Sequence, residues 1–313
     1  MEDAALAPDT PVYVAGHGGL VGSAVWRKLQ AEGFTNLIGW RSAELDLRDR
    51  DATFDAVLTA EPRCMVIAAA KVGGILANAT YPVDFLNDNL RIQTNLFEAA
   101  HAAGVARVLF LGSSCIYPKH APQPIPETAL LTGTLEPTNE AYAIAKISGI
   151  TAVQSYRRQY GHRWISAMPT NLYGPGDNFD LQSSHVLPAM IRKFHDAKLG
   201  GQPVTLWGTG SPRREFLHVD DLADAVLHLL RHYDSDLTIN VGVGDDITIH
   251  DLAGTVADVV GYDASITWDA GKPDGTPRKL LDVSRLLALG WKPRIDLRHG
   301  IASTYQWFLE NHT

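Results

Sequence analysis

Short apolar runs alternate with longer amphipathic stretches through the first two-thirds of the chain. Five apolar runs predict strands, at residues 12–15, 37–40, 65–70, 105–111 and 164–168. Apolar residues at helical spacing predict helices at about 20–32, 83–103 and 139–160. Because the strands contain few polar positions, helices must cover both faces of their sheet. The pattern therefore predicts an α/β fold with a doubly wound parallel sheet of the Rossmann type.

The pattern loosens after Pro169, where Gly, Pro and Asn residues cluster. Further helices are predicted at about 184–197, 219–232, 249–260, 284–289 and 297–311, with strands at 204–207 and 238–241. We expect the strand at 238–241 to join the main sheet. The chain is thus predicted to form a sheet domain over 1–170, to which it returns at about 214–243, and a smaller C-terminal lobe over 171–313.

Composition and charge narrow the class of protein. The chain has 313 residues, of which 45% are hydrophobic and 20% charged, with a formal net charge of -8. The acidic balance and the lack of a Lys/Arg cluster disfavour nucleic acid and anionic membranes as partners. No apolar run approaches the ~20 residues of a membrane span. Two cysteines and an N-terminus without signal-peptide features favour a reducing compartment, so we expect a cytoplasmic protein.

A glycine-rich turn directly follows the first predicted strand. Gly16, Gly19 and Gly22 have G-x-x-G-x-x-G spacing between this strand and the next helix. Such glycines allow a tight turn and close approach of a pyrophosphate, and the helix N-terminus attracts phosphate. The strand–turn–helix context favours a dinucleotide site over a bare turn. The predicted cofactor contacts are Gly16, His17, Gly18, Gly19, Leu20, Val21 and Gly22.

The end of the second predicted strand should meet the adenosine ribose of the dinucleotide. An acidic residue there would bind the 2′-hydroxyl of NAD, but this chain has Trp40-Arg41-Ser42. A guanidinium suits a 2′-phosphate, so Arg41 favours NADP(H) as the cofactor. The alternative is a solvated surface arginine.

A tyrosine and a lysine are spaced by four residues on the helix predicted at 139–160. Tyr142 and Lys146 therefore lie on one helical face, about one turn apart. Because a nearby cation favours a phenolate, we expect the pKa of Tyr142 to be lowered towards neutrality. Such a pair suits the interconversion of a carbonyl and an alcohol, although an amphipathic helix could carry it by coincidence. Ser113 and Ser114 follow the fourth strand and are placed to hydrogen-bond a substrate carbonyl.

These residues resemble a known family. Ser113, Tyr142 and Lys146 match the extended short-chain dehydrogenases/reductases that act on sugar nucleotides. Four segments are similar to those of the GDP-L-fucose synthase family, namely Ser113–Lys119, Leu135–Glu140, Pro169–Pro175 and Asp274–Lys279. One departure is Gly18, where some members carry an arginine. The resemblance implies an NADPH-dependent enzyme that converts GDP-4-keto-6-deoxy-D-mannose to GDP-L-fucose by C3/C5 epimerisation and C4 reduction.

The resemblance gives Cys115 and His185 the roles of base and acid. Inversion at C3 and C5, beside a C4 ketone, needs a base on one face of the sugar and an acid on the other. A thiol forms thiolate with modest electrostatic help, and imidazole titrates near neutrality. Tyr142 would then donate the proton in C4 reduction, with Lys146 lowering its pKa and Ser113 polarising the carbonyl. The alternatives are a small buried hydrophobe for Cys115 and an ordinary helix-start residue for His185.

The resemblance also implies the remaining contacts. Cofactor contacts beyond the glycine turn are expected at Leu111, Gly112, Ser114, Lys146, Pro169, Asn171, Leu172 and His185. Substrate contacts are expected at Lys193, Trp207, Arg214 and Lys279, and no metal is required. Alternatively, Arg213 or Arg214 pairs with a carboxylate such as Asp220. The other cysteine, Cys64, is predicted to be a packing residue. The sheet domain would thus bind NADP(H) and the C-terminal lobe the GDP-sugar.

Three other functions share parts of this pattern. A related reductase or epimerase could act on a different GDP-keto-sugar, either a deoxy sugar or a heptose. A nucleotide-sugar 4-epimerase would share the tyrosine and lysine, but Arg41 and the Cys115/His185 pair count against it. A non-catalytic NADP(H) sensor would not need these side chains together. By analogy with the superfamily, the helices at 83–103 and 139–160 predict a homodimer.

Overall fold

Strands and helices alternate through the first half of the chain. The structure is a computed structural model, and it describes residues 6–272 and 274–312. The elements of this half are β1 (Val12–Ala15), α1 (Leu20–Ala31), β2 (Leu37–Ile38), α2 (Arg50–Ala60), β3 (Cys64–Ile67), α3 (Ile75–Thr80), α4 (Pro82–Ala102), β4 (Arg107–Leu111), α5 (Glu140–Tyr160) and β5 (Ile165–Pro169). Short 3-10 turns lie at 114–116, 127–129 and 137–139.

The second half has shorter strands between its helices. Its elements are β6 (Asn171–Tyr173), α6 (Val186–Gly200), β7 (Val204–Trp207), β8 (Arg213–Arg214), β9 (Phe216–His218), α7 (Val219–His232), β10 (Ile239–Val241), β11 (Ile247–Thr248), α8 (Ile249–Val260), β12 (Ile266–Asp269), β13 (Arg278–Lys279), α9 (Ser284–Ala288) and α10 (Leu297–His312). None of the helices in the described ranges is long and apolar enough to cross a membrane.

Six parallel strands form the main sheet, in the order β10-β5-β4-β3-β1-β2. The predicted doubly wound parallel sheet is therefore confirmed, and β10 is its predicted late strand. Because side chains alternate across a strand, Val12 and Val14 pack on one face with α1 and α7. Tyr13 packs on the other face with residues of α4 and α5. Both faces of the sheet are thus buried, which explains the nearly continuous apolar runs.

Two local differences from the sequence pattern have simple physical causes. The third strand ends at Ile67 rather than at residue 70. The chain leaves the sheet there, because Ala69 lies against Gly16 of the glycine turn. Helix α2 was not predicted; the Asp49 side chain caps it by accepting a hydrogen bond from the Ala52 N–H at 3.1 Å, and Val57 is its buried apolar residue.

A separate hydrophobic cluster forms the core of the C-terminal lobe. Helices α6, α8 and α10 pack around the β7–β12 pair. A three-stranded sheet, β11-β8-β13, and the parallel pair β6–β9 connect this lobe to the carboxyl edge of the main sheet. The division into functional domains at residue 170 remains a prediction.

Candidate active site

The glycine turn between β1 and α1 is packed too tightly for side chains at two positions. Gly16 has φ +87°, and a Cβ there would lie 2.8 Å from the backbone of Ala69. A Cβ at Gly22 would lie 2.0 Å from the Gly16 carbonyl oxygen. Gly18 has open space around it. No side chain caps α1 at its N-cap residue Gly19, so the first-turn N–H groups face the region where a pyrophosphate would bind.

Gly22→Ala should destabilise the fold by about 1–3 kcal/mol, because the added methyl group forces the helix away from the turn. It should also weaken NADPH binding, since the displaced turn carries the phosphate-facing N–H groups. Chemical denaturation and NADPH titration measure the two effects. Gly18→Ala is the matched control and should stay within ~0.5 kcal/mol of the wild-type free energy of unfolding. Equal effects of the two substitutions would contradict the packing described here.

A cationic side chain, that of Arg41, follows β2 on one side of the glycine turn. His17 packs against Trp26, with ring centroids 5.1 Å apart, and its buried Nδ1 has no hydrogen-bond partner in the described ranges. Arg41 is exposed, and no carboxylate within residues 6–272 and 274–312 pairs with its guanidinium. Asp46 is already occupied, because Arg48 donates to both of its oxygens at 2.8 and 2.9 Å. The turn, the uncapped helix and Arg41 together fit a phosphorylated dinucleotide.

The carboxyl ends of β4 and β5 lie at the same edge of the sheet as this turn, and we call them the floor of the site. Gly112 allows close packing, since a Cβ there would lie 2.4 Å from the Met168 Sδ. Ser114 is buried in the 3-10 turn, next to the end of β4 at Leu111. Pro169 ends β5. Beyond it, the Asn171 amide donates to the Glu215 carbonyl at 2.8 Å, and Leu172 is half-buried.

Helix α5 brings Tyr142 and Lys146 to this floor. The Lys146 ammonium donates to the Leu111 carbonyl at 2.9 Å and lies 5.9 Å from the centroid of the Tyr142 ring. Burial lowers the pKa of Lys146 to about 7. Burial and the charge of Cys115 raise the pKa of Tyr142, while hydrogen bonding with Ser113 opposes this. The expected lowering of the Tyr142 pKa is therefore wrong for this structure, because desolvation dominates and the ammonium is bonded to the carbonyl.

Ser113 and Cys115 both interact with Tyr142, Ser113 by hydrogen bonding and Cys115 through its charge. The Cys115 N–H donates to the Ser113 Oγ at 3.2 Å, which caps the 3-10 turn. The Cys115 thiol is half-buried and accepts a hydrogen bond from the Lys279 ammonium at 3.5 Å. Cys64, by contrast, is fully buried in β3, and burial raises its pKa to about 12. Its predicted packing role is confirmed.

His185 stands at the N-cap position of α6. A tight approach between two loops places it there, since the Gly74 N–H donates to the Ser183 carbonyl at 3.1 Å. His185 is exposed, and neighbouring protein atoms and then the charge of Lys279 lower the pKa of its imidazole. The Lys279 ammonium thus contacts the thiol and acts electrostatically on the imidazole.

The cationic side chains of the three-stranded sheet lie on its two opposite faces. Arg213 and Arg278 both donate to the buried Asp246, at 2.6 and 2.5 Å. Arg214 and Lys279 are opposite each other in register, and alternation turns them to the other face, where Lys279 meets Cys115. The alternative of a carboxylate partner is therefore confirmed for Arg213, although the partner is Asp246 and not Asp220, which binds Arg27 at 2.7 Å.

An exposed tryptophan lies in the C-terminal lobe, at the end of β7. Trp207 is 58% exposed, and the ammonium groups of Lys193 and Lys272 lie 5.9 and 5.5 Å from its ring centroid. Burial lowers the pKa of Lys193. An open indole face beside cations suits a nucleobase and its phosphates. Sequence reasoning did not identify Lys272, which no recognisable motif marks.

Glu215 is a second residue that sequence reasoning missed. It is fully buried, and its carboxylate accepts hydrogen bonds from the backbone N–H groups of Val243, Gly244 and Leu281 at 2.6, 2.7 and 3.1 Å. These bonds connect the end of the main sheet to the strand segment that carries Lys279. The sequence signal for Glu215 was a carboxylate directly before an apolar strand, because a charge buried at such a place needs hydrogen-bond donors.

The sequence matches a known protein family over most of its length. Residues 12–242 match the NAD dependent epimerase/dehydratase family. GDP-L-fucose synthase 1 of Arabidopsis thaliana is 59% identical over 302 residues, which cover 96% of this chain and 93% of the relative.

Solved structures of two relatives have the same overall fold. A GDP-6-OMe-4-keto-L-xylo-heptose reductase from Campylobacter jejuni superposes with a TM-score of 0.94 at 32% identity, covering 99% of this chain and 100% of the other. A GDP-L-fucose synthetase from Naegleria fowleri bound to NADP gives a TM-score of 0.91 at 29% identity, covering 98% and 96%. The chain therefore belongs to the NAD dependent epimerase/dehydratase family and, within it, to the GDP-L-fucose synthases.

Proposed function

We propose that the protein is an NADPH-dependent bifunctional epimerase/reductase that converts GDP-4-keto-6-deoxy-D-mannose to GDP-L-fucose. The observation that carries the proposal is that the Cys115 thiol and the Tyr142 phenol have a common neighbour, Ser113. Ser113 accepts a hydrogen bond from the Cys115 N–H and also lowers the pKa of Tyr142 by hydrogen bonding. A simple 4-reductase has no use for the thiol, whereas inversion beside a ketone requires a base. The relative that is 59% identical is named a GDP-L-fucose synthase.

Epimerisation is assigned to Cys115 and His185. The C4 ketone acidifies the protons on C3 and C5 by stabilising an enolate. Cys115 removes the proton from one face, and His185 returns a proton to the opposite face. The imidazole is accessible to a bound sugar, because His185 is exposed at the N-cap position of α6.

Reduction is assigned to Tyr142, Lys146 and Ser113. When bound, NADPH supplies the hydride that reduces C4. Tyr142 holds its proton firmly in the free site and donates it to the developing C4 alkoxide. The Lys146 ammonium beside the ring and the Ser113 hydroxyl stabilise the charge that forms.

NADP(H) would be held by the residues of the glycine turn, by Arg41 at the 2′-phosphate, and by the floor residues Leu111, Gly112, Ser114, Pro169, Asn171 and Leu172. His185 and Lys146 would border its nicotinamide end. The exposed guanidinium of Arg41 and the N. fowleri relative solved with NADP support this assignment.

Arg41→Ala should weaken NADPH binding by about 10- to 100-fold, the value of a lost charge-assisted contact, and leave NADH binding unchanged. Fluorescence titration with both cofactors measures this selectivity. Arg63→Ala is the matched control. Arg63 is an exposed arginine that directly precedes β3, so it lies at the edge of the sheet opposite to the glycine turn. Equal loss of affinity for NADPH and NADH would remove Arg41 from the 2′-phosphate site.

The GDP group would lie in the cleft lined by Lys193, Trp207 and Arg214. The two ammonium groups near Trp207, and the position of Arg214 on the same face of the three-stranded sheet as Lys279, support this placement. The sheet domain over 1–170 would then carry the cofactor and the lobe over 171–313 the substrate. We further propose a cytoplasmic homodimer in which the outer faces of α4 and α5 meet those of a second copy.

Product analysis tests the proposed function. Purified protein with NADPH and GDP-4-keto-6-deoxy-D-mannose should yield GDP-L-fucose, identified by NMR. A GDP-4-keto-heptose is the competing substrate, because the C. jejuni heptose reductase shares the whole fold. Faster turnover of the heptose would shift the substrate assignment, and NADPH binding without turnover of either sugar would favour a sensor.

A further inference from the structure

Lys279 contacts the thiol of Cys115 and has no carboxylate partner in the described part of the chain. Its ammonium donates to the Cys115 Sγ at 3.5 Å. The same charge acts on His185, where it adds to the effect of burial in lowering the pKa of the imidazole. The lysine is therefore within electrostatic reach of both groups assigned to epimerisation.

The backbone around Lys279 is fastened to the loop that continues from Cys115. The Leu280 N–H donates to the Gln123 Oε1 at 2.9 Å, and the Ile125 N–H donates to the Leu280 carbonyl at 2.8 Å. On the other side, Arg278 is bound to Asp246 at 2.5 Å. These bonds hold both ends of the lysine's segment, so the ammonium approaches the sulfur from a defined direction.

We propose that Lys279 is a positioning residue of the Cys115/His185 pair, which orients the sulfur and favours its thiolate, rather than a contact to the nucleotide. Its part in epimerisation rests on the proposed function. A cation next to a sulfur stabilises the thiolate, which is the reactive form. Lys279 thus replaces the histidine that commonly activates a cysteine, and this leaves His185 free to act from the other face of the sugar.

The proton transfers balance without any further reactant. The Cys115 thiolate takes the proton from C3 or C5 and becomes a thiol, while the C–H electron pair moves into the C4 carbonyl to form an enolate. The enolate carbon then takes a proton from the His185 imidazolium on the opposite face, and the carbonyl re-forms. Solvent returns the proton from the thiol to the imidazole, and Lys279 keeps its proton throughout.

Alkylation of Cys115 tests the proposal without any sugar substrate. Cys64 is fully buried, so iodoacetamide labelling of the folded protein at pH 7 reports on Cys115. Lys279→Met should slow the labelling by about tenfold, the effect of one neighbouring charge on a thiolate population. Lys279→Arg, which keeps the charge, should restore most of the rate. Lys292→Met, at an exposed lysine, is the control and should label at the wild-type rate.

Two further measurements distinguish a positioning role of Lys279 from a role in nucleotide binding. Thermal unfolding of Lys279→Met must match the wild-type transition, so that labelling compares folded proteins; a misfolded variant is replaced by Lys279→Gln. Calorimetric titration with GDP should give an unchanged dissociation constant for the variant. Unchanged labelling combined with weaker GDP binding would overturn the proposal and return Lys279 to the nucleotide site. Slower labelling in a protein that does not convert the keto-sugar would support the positioning role and contradict the proposed function.

Discussion

Cys115→Ser should lower proton exchange at C3 and C5 of the keto-sugar by about 10³-fold, the usual loss when a general base is removed. A serine hydroxyl at this position keeps nearly the same shape, but it does not ionise near neutral pH. The C4 reduction should continue, because Tyr142, Lys146 and Ser113 are untouched. The variant should therefore produce a GDP-linked 6-deoxyhexose that is reduced at C4 without the inversions at C3 and C5.

Incubation of the variant in deuterated water, followed by NMR of the products, measures both effects together. Cys64→Ala is the matched control, because it removes the other thiol of the chain from a fully buried position. It should lower stability and leave the exchange rate per folded molecule unchanged. Wild-type exchange in Cys115→Ser would exclude the thiol as the base.

Tyr142→Phe should have the opposite effect, with C4 reduction lowered by about 10³-fold and exchange at C3 and C5 retained. The phenol holds its proton strongly because it is desolvated and lies near Cys115, so it is suited to deliver that proton only when an alkoxide forms. NADPH oxidation followed by absorbance reports the reduction, and deuterium incorporation reports the exchange.

Tyr156→Phe is the control for this substitution. Tyr156 lies on the same helix, in an aromatic cluster with Phe97 and Trp164. Its loss of a hydroxyl should leave both reactions unchanged. If Tyr142→Phe abolished exchange and reduction together, the separation of the two roles would be incorrect.

The main sheet was predictable because its strands are buried on both faces. The apolar runs therefore marked β1, β3, β4 and β5 within a few residues, and helix α7 over Val219–His232 agrees with its pattern throughout. The three-stranded sheet was not predictable in this way. Strands β8, β11 and β13 have two residues each and exist through non-local pairing, such as that of Arg214 with Lys279. Two residues give no measurable period, so local patterns do not show such strands.

The same contrast between local patterns and non-local contacts applies to the candidate site. Spacing along one helix was enough to bring Tyr142 and Lys146 together, and the glycine turn was visible because Gly16 and Gly22 meet tight backbone contacts. The Lys279–Cys115 contact joins residues 164 positions apart, so no local signal could identify it. The direction of the Tyr142 pKa was also beyond sequence reasoning, since desolvation depends on the surrounding tertiary structure.

One isotope experiment tests most directly whether a single site epimerises and reduces. The wild-type protein is incubated with GDP-4-keto-6-deoxy-D-mannose and NADPH in deuterated water, and the reduced product is examined by NMR and mass spectrometry. We expect GDP-L-fucose with solvent deuterium at C3 and C5 and with the C4 hydrogen supplied by NADPH. A C4-reduced product that retains its original hydrogens at C3 and C5 would contradict the account.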